Sequence, residues 1–249
     1  MIVIPMAGSS RRFTDAGYEL PKYMLDAHGK SLFRHSVESF SAYFDRELFL
    51  FIAREIGATA EFLETELRTL GVKEHQVVML DAPTSGQAET VVRGLEGAAR
   101  QAGTDADQPL TIFNIDTFRP GFRYPDLFEL GAVDGYLETF IGSGANWSNV
   151  VPAEGNEHRV VKTAEKQQIS EYCCTGLYYF RSSQRFRALF DAEVEALGAS
   201  GAETYVAPMY NRLIAHGGDI RYSVIESKDV IFCGVPAEYE AFLAVEPTS

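Results

Sequence analysis

Small residues and two arginines directly follow the first apolar run of the chain, residues 2–4. In order they are Met6, Ala7, Gly8, Ser9, Ser10, Arg11 and Arg12. Small side chains allow backbone N–H groups to approach an anion closely, and a loop that leaves a parallel strand presents such groups to phosphates. The segment alone fits a phosphate-binding loop and a plain turn with solvated arginines about equally. The chemistry it could perform is the binding of a polyphosphate.

A polar turn precedes a helical pattern further along the chain. Ser85 is predicted to cap this helix, and the amide of Gln87 can donate and accept hydrogen bonds in the first turn. An amide at that place can bind the edge of a nucleotide base. A capping turn without a ligand explains the same residues, and the residues alone favour it.

A carboxylate ends the fourth apolar run. Asp116 directly follows residues 110–115, and α/β proteins bind ligands at the carboxyl ends of their central strands. Mg²⁺ usually takes one or two protein carboxylates and completes its octahedral shell with phosphates and water. Asp116 is therefore a candidate metal ligand, and the alternative is a carboxylate that caps a turn.

Three other catalytic patterns are missing from the sequence. Gly29-Lys30-Ser31 ends like a P-loop, but Met24 stands where that motif needs a glycine. There is no G-x-S-x-G elbow, and the five histidines contain no H-E-x-x-H pair. The sequence therefore argues against a P-loop NTPase, an α/β-hydrolase and a zinc protease.

The elements that must position these residues alternate between strand and helix. Continuously apolar runs, typical of buried parallel strands, occur at residues 2–4, 48–52, 77–80 and 110–115. Apolar residues at helical spacing fill 63–70 and 88–99, and these patterns end near Gly71 and Gly103. The first half of the chain is predicted to form repeated βα units on a mostly parallel sheet.

The second half has a looser pattern. Shorter strands are predicted at 177–180, 220–225 and 230–232, and helices at 183–197 and 203–216. These elements predict a mixed sheet with an insertion that faces the substrate. The sequence has no internal repeat and no low-complexity linker, so one domain is expected.

The order and spacing of the amino-terminal motifs resemble the nucleotidyltransferases that activate sugar phosphates. That family opens with an Ala-Gly loop ending in an arginine, then has Pro-Lys and then Gly-Lys-Pro-Leu. The counterparts here are residues 6–13, Pro21-Lys22 and residues 29–32. Further counterparts are Gly86-Gln87, Asn114-Ile115-Asp116, Glu165-Lys166 and Gly176. The resemblance covers nearly the whole chain.

The resemblance implies a fold and a reaction. The fold is a single α/β domain of the GT-A type, Rossmann-like, with a mixed, mostly parallel sheet flanked by helices. Residues 1–130 would form its nucleotide-binding half and residues 131–249 its acceptor-binding half. The reaction joins an NTP to a phosphorylated small molecule, such as a sugar 1-phosphate, releases pyrophosphate and uses Mg²⁺. Its products would serve nucleotide-sugar and capsular polysaccharide biosynthesis.

The resemblance also assigns roles to single residues. The nucleotide is expected on Met6, Ala7, Gly8, Ser9, Ser10, Gly86 and Gln87, the acceptor on Glu165, Lys166 and Gly176, and the metal on Asp116. Arg12 is expected to act on the triphosphate and on the leaving pyrophosphate, and Lys22 on the α-phosphate in the transition state. Because the attacking phosphate is already ionised, no Ser, Cys or His base is needed.

Three positions depart from the family pattern. Ser10 replaces the second loop glycine, Ser31 replaces the proline of Gly-Lys-Pro, and Phe232 stands where a second metal-binding aspartate is common. These departures leave open a cytidylyltransferase acting on a non-sugar phosphate, phosphocholine-like or amide-borne. A GT-A glycosyltransferase and a nucleotide-binding protein without turnover are the remaining alternatives. The glycosyltransferase would have no use for Arg12 and Lys22 at this spacing.

Charge and cysteine content limit the partners. The 249 residues carry 22 basic and 35 acidic side chains, a net charge of −13. A field of that sign repels nucleic acid and anionic lipid, so small-molecule substrates are expected and neither polymer nor membrane. Three cysteines without C-x-x-C spacing, and no apolar run near the roughly 20 residues of a membrane span, favour a cytoplasmic protein. A homo-oligomer is compatible with the sequence.

Overall fold

The computed structural model describes residues 1–198 and 202–245. Within these ranges the strands are β1 (Ile2–Pro5), β2 (Asp26–Ala27), β3 (Lys30–Ser31), β4 (Phe49–Ala53), β5 (His75–Met79), β6 (Leu110–Phe113), β7 (Thr117–Phe118), β8 (Gly135–Ile141), β9 (Ser148–Ala153), β10 (Asn156–Glu165), β11 (Tyr172–Phe180), β12 (Ile220–Ile225) and β13 (Ile231–Phe232). The helices are α1 (Arg11–Asp15), α2 (Leu32–Glu38), α3 (Thr59–Leu70), α4 (Gln87–Ala102), α5 (Ser183–Leu197), α6 (Met209–Ala215) and α7 (Pro236–Leu243).

A nine-stranded mixed sheet organises the chain, in the order β5-β4-β1-β6-β11-β8-β12-β10-β9. The strands β5, β4, β1 and β6 form one parallel block, as the repeated βα pattern predicts. In the other half, β8 and β12 are parallel, whereas the pairings of β9, β10 and β11 are antiparallel. The predicted mixed α/β architecture is confirmed, and its parallel character belongs mainly to the amino-terminal half.

The apolar runs form strands that are buried on both faces. Val3, Leu50 and Ile112 contribute to one core, which α4, α5 and α6 cover. Their sequence neighbours Ile4 and Phe51 point to the opposite core, under α2 and α3. Because side chains alternate along a strand, a continuously apolar strand can supply both cores.

Helix α4 packs very closely on the parallel block. A Cβ atom on Gly94 would lie 2.1 Å from Ile52 Cδ1, and one on Gly97 would lie 2.5 Å from Val78 Cγ1. Glycine at these two positions therefore allows the helix to approach the sheet. The predicted helix end is confirmed, since Gly103 follows in the left-handed conformation with φ of 67°.

The second half differs from the prediction in two places. The helix predicted for residues 203–216 begins at Met209, because residues 202–205 have no regular secondary structure and Pro208 precedes the first helical residue. The strands β8, β9 and β10 were not predicted, although they form much of the antiparallel half. In the described part of the chain, no helix has the length and apolar character of a membrane span.

Candidate active site

Loops at the carboxyl ends of the parallel strands open into a cavity of about 1010 Å³. Every residue that the sequence predicts for the site lines this cavity. They are Met6, Ala7, Gly8, Ser9, Ser10, Arg12, Lys22, Gly86, Gln87, Asp116, Glu165, Lys166 and Gly176. Residues that are up to 170 positions apart in the chain thus share one space because the sheet gathers its loops at one edge.

The loop after β1 is held from two sides. Ser10 adopts the left-handed conformation with φ of 50°, directly before the short helix α1. Its Oγ accepts a hydrogen bond from the backbone N–H of Lys22 at 3.3 Å. On the other side, Arg54 Nε donates to the Ala7 carbonyl oxygen at 2.9 Å. These two hydrogen bonds restrain the loop at Ser10 and at Ala7.

Lys22 and Asp116 form a short ion pair inside the cavity, with Nζ 2.5 Å from Oδ2. Both side chains are about one-fifth exposed. Burial alone would raise the pKa of Asp116, but the ammonium of Lys22 and the charge of Arg12 outweigh it and hold that pKa below its usual value. The guanidinium of Arg12 and the ammonium of Lys22 therefore act on the same carboxylate rather than on opposite sides of the molecule.

The polar turn before α4 differs in detail from the prediction. The N-cap residue is Gly86, and the predicted Ser85 cap is wrong, because the Ser85 N–H donates to Glu89 Oε2 and its hydroxyl lies 3.3 Å from Thr204 Oγ1. Gln87 Nε2 donates to Asn114 Oδ1 at 2.6 Å. That bond does not use Gln87 Oε1, which can accept from a ligand.

The acceptor side of the cavity contains a half-buried carboxylate beside an exposed ammonium. Ser148 donates a hydrogen bond to Glu165, the last residue of β10. Burial raises the pKa of Glu165, and the Ser148 hydrogen bond and the charge of Lys166 offset part of this rise. Gly176, with φ of 95°, is required on β11, since a Cβ atom there would lie 2.5 Å from Asn114 Nδ2.

Several cavity residues were not predicted. Arg54 follows β4 at the same sheet edge as Asp116, so its position after a buried strand is a signal that sequence reasoning could have used. Glu203 and Tyr205 lie in a segment that was predicted as helix. Phe232, which stands where the family commonly has a second metal-binding aspartate, also lines the cavity, as does Trp147, and their ring centroids are 4.5 Å apart.

The oxygen donors near Asp116 suit a cation that substrate phosphates also bind. Among the described residues, no group of three or more His, Cys, Asp or Glu side chains is arranged to hold a metal. A Cβ atom on Gly234 would lie 3.1 Å from Asp116 Oδ2 and 3.5 Å from Glu238 Oε2, but Glu238 accepts the N–H groups of Gly234 and Val235. Asp116 is then the remaining carboxylate of the two, and Mg²⁺ bound there would share it with Lys22 and take its other ligands from phosphates and water.

The mixed α/β sheet thus brings a loop of small residues, a Lys–Asp pair and a second cationic subsite into one cavity, an arrangement that suits two phosphate-bearing substrates. The crystal structure of the nucleoside-diphosphate-sugar pyrophosphorylase from Vibrio cholerae RC9 is similar over 98% of this chain and 100% of that chain, with 48% identity and a TM-score of 0.93. The chain belongs to the sugar-phosphate nucleotidyltransferase family.

More distant structures share the fold. The inositol-1-phosphate CTP transferase from T. maritima is 15% identical, with 97% of this chain and 92% of that chain covered and a TM-score of 0.69. An apo UDP-glucose pyrophosphorylase is 13% identical, with 97% and 96% covered and a TM-score of 0.71. No protein-family model and no curated protein matches the chain.

Proposed function

We propose that the protein transfers the nucleotidyl group of an NTP to a sugar phosphate and releases pyrophosphate. The observation that carries this proposal is that one cavity joins the loop of residues 6–10 with Arg12 and Lys22 to the Glu165–Lys166 pair. The first set suits a triphosphate, and the second suits the phosphate of an acceptor.

Electrostatic repulsion between the phosphates of the two substrates is the main obstacle in such a reaction. The acceptor phosphate forms a new P–O bond to the α-phosphorus while the bond from that phosphorus to the pyrophosphate oxygen breaks. Two unit charges about 4 Å apart repel by roughly 4 kcal/mol at an effective dielectric of about 20, and several such pairs must meet. Because the nucleophile is ionised, cations and orientation supply the catalysis rather than a base.

Three cations of the cavity have a place in this scheme. Lys166 binds the acceptor phosphate, Lys22 binds the α-phosphate as charge shifts during the transfer, and Arg12 binds the pyrophosphate. Asp116 would hold Mg²⁺, which would neutralise phosphate oxygens when bound. The low pKa of Asp116 supports this assignment, because only the ionised carboxylate attracts a cation.

The nucleotide base belongs beside the turn before α4. Gln87 Oε1 can accept an N–H from more than one pyrimidine, and the close contact of Gly86 with Thr204 keeps the turn in place. We therefore assign residues 1–130 to nucleotide binding and residues 131–249 to acceptor binding. Cytoplasmic synthesis of a nucleotide sugar for capsular polysaccharide is the setting that the family suggests.

A non-sugar phosphate is the second candidate acceptor. The Trp147 and Phe232 rings form a largely apolar wall of the cavity, which offers a sugar hydroxyl few hydrogen-bond partners. A less polar acceptor phosphate would bury its carbon skeleton there.

The test is a matrix of each NTP against sugar 1-phosphates and non-sugar phosphates such as phosphocholine, with pyrophosphate release as the readout. Release with a sugar 1-phosphate supports the first proposal, and release with a non-sugar phosphate alone supports the second. Nucleotide binding without pyrophosphate from any acceptor would refute both.

A further inference from the structure

The ammonium of Lys166 is held by a tyrosine and a glutamate from a distant segment. Lys166 Nζ donates to Tyr205 Oη at 2.5 Å and lies 3.5 Å from Glu203 Oε2. The Tyr205 hydroxyl in turn donates to Glu203. The same ammonium lies 4.5 Å from the centroid of the Tyr205 ring. All three side chains line the cavity.

The segment that supplies these partners is itself anchored to the nucleotide turn. The Thr204 N–H donates to the Ser85 carbonyl at 3.3 Å, and the Ala88 N–H donates to the Thr204 carbonyl at 3.1 Å. Thr204 is 3% exposed. Tyr205 and Glu203 therefore flank a buried, doubly bonded residue, which limits where their side chains can lie.

Partners of this kind matter most for a long, flexible side chain such as lysine, because they restrict where its ammonium can lie. Lys166 is exposed, so little of the surrounding structure restricts its long side chain apart from Tyr205 and Glu203. Burial lowers the pKa of the ammonium, but the Tyr205 hydrogen bond and the charge of Glu203 raise it by more, so Lys166 stays protonated.

We propose that Tyr205 and Glu203 are positioning residues that hold the Lys166 ammonium where the acceptor phosphate binds. This inference rests on the proposed function, because that function places the acceptor phosphate at Lys166. The lysine ammonium has three N–H donors, so an arriving phosphate can accept one of them while Tyr205 and Glu203 keep their contacts and hold the lysine in place.

Tyr205→Phe removes the hydroxyl and keeps the ring. The KM for the acceptor should rise about tenfold, as expected for one hydrogen bond to a charged group, while kcat and the KM for the NTP stay within about twofold. Glu203→Gln, an exposed position, should raise the acceptor KM in the same direction by about threefold, because the tyrosine hydroxyl loses a charged partner.

Tyr18→Phe is the matched control, since the Tyr18 hydroxyl also donates to a carboxylate, Glu240, at 3.4 Å, but outside the cavity. It should leave the acceptor KM unchanged. A purely structural role for Tyr205 would lower the melting temperature and change both KM values, and that result would overturn the proposal.

A binding experiment separates this inference from the reaction itself. Calorimetric titration of inorganic phosphate into the protein saturated with a non-hydrolysable NTP should give about tenfold weaker binding for Tyr205→Phe than for Tyr18→Phe. Equal affinities, or no phosphate binding by the unmodified protein, would refute the positioning role. If phosphate binding depends on Tyr205 but no acceptor yields pyrophosphate, the proposed reaction fails and the positioning role stands.

Discussion

Lys22 is paired with a carboxylate of the cavity, and it is also proposed to bind substrate. Its ammonium lies 2.5 Å from Asp116 Oδ2, and this charge keeps Asp116 ionised although the carboxylate is largely removed from water. Because Lys22 is proposed both to keep a metal ligand charged and to bind the α-phosphate, we expect it to affect the rate more than the affinity.

Lys22→Ala should therefore lower kcat strongly. We expect a loss of about 10²- to 10³-fold, as for other removed transition-state donors, with an NTP KM changed by no more than about threefold. Steady-state pyrophosphate release measures both. Lys73→Ala is the control, because Lys73 is paired with Asp45 at 2.7 Å on the surface. An unchanged kcat in Lys22→Ala would contradict the assignment.

Asp116→Asn tests the metal proposal. The variant keeps the size of the side chain but loses its charge, so the Mg²⁺ concentration for half-maximal rate should rise by at least about tenfold. Titration of Mg²⁺ into chelator-treated enzyme gives this value. Asp45→Asn, an exposed acidic position, should show the Mg²⁺ dependence of the unmodified enzyme. Identical titration curves for Asp116→Asn and Asp45→Asn would rule out Asp116 as a ligand.

The residues of the site differ in how far the sequence could predict them. The sequence could indicate Asp116 and Gln87 because each stands where a predicted element starts or ends. The residues alone, however, also fitted a capping role without a ligand. Tyr205 and Glu203 could not be predicted as site residues, since their proposed role depends on a contact with Lys166, which is 37 or more positions away in the sequence. Their segment was also predicted as helix, so its extended course toward the cavity could not be anticipated.

At the scale of elements, the start of α4 is organised by a glutamate in its own first turn. Glu89 accepts the Ser85 N–H at 2.5 Å and binds Arg93 one turn later. Burial raises its pKa, but the Ser85 and Arg93 interactions outweigh this and the pKa is lowered. A single carboxylate thus fixes the turn that is proposed to bind the base.

Glu89→Gln should destabilise the protein in a pH-dependent manner. Because the folded pKa is depressed, the stabilisation by Glu89 is present above the unfolded value of about 4.3 and is lost as the pH falls through the folded pKa. We expect a difference of about 1 kcal/mol at pH 7 that nearly disappears at pH 3. Urea unfolding of both proteins at the two pH values measures it. A difference that is equal at both would contradict a charge-based role.

The elements of the first half were predictable because the local sequence pattern of each one agrees with the structure it forms. Continuous apolar runs predicted β1, β4 and β6, which are buried on both faces. Glycines after the helical patterns predicted the ends of α3 and α4. Strand β8 was not predictable in the same way, since its run contains Glu138, which is buried and pairs with Arg119 at 2.8 Å. That pairing is a long-range contact without a local signal.

At the scale of the whole molecule, residues 1–130 and 131–249 share one sheet through the β6–β11 pairing, and they also contact each other where Thr204 packs on Gly86. A Cβ atom on Gly86 would lie 2.3 Å from the Thr204 carbonyl oxygen and 2.6 Å from its nitrogen. Both are backbone atoms, which cannot rotate away as a flexible side chain could. The contact joins the turn proposed for the base to the segment that holds Lys166, so it connects the nucleotide and acceptor subsites.

Gly86→Ala should therefore disturb both subsites with one methyl group. The backbones must separate, which should cost about 1–3 kcal/mol of stability, and the KM values for the NTP and for the acceptor should rise together. Gly131→Ala provides the control, because a Cβ atom there has no heavy atom within 4 Å and its φ is not in the left-handed region. Melting curves and two-substrate kinetics of both variants measure these effects. If Gly86→Ala raised the NTP KM alone, the nucleotide turn would act independently of the segment that contacts Lys166. The contact between Gly86 and Thr204 would then be a packing contact without a role in acceptor binding.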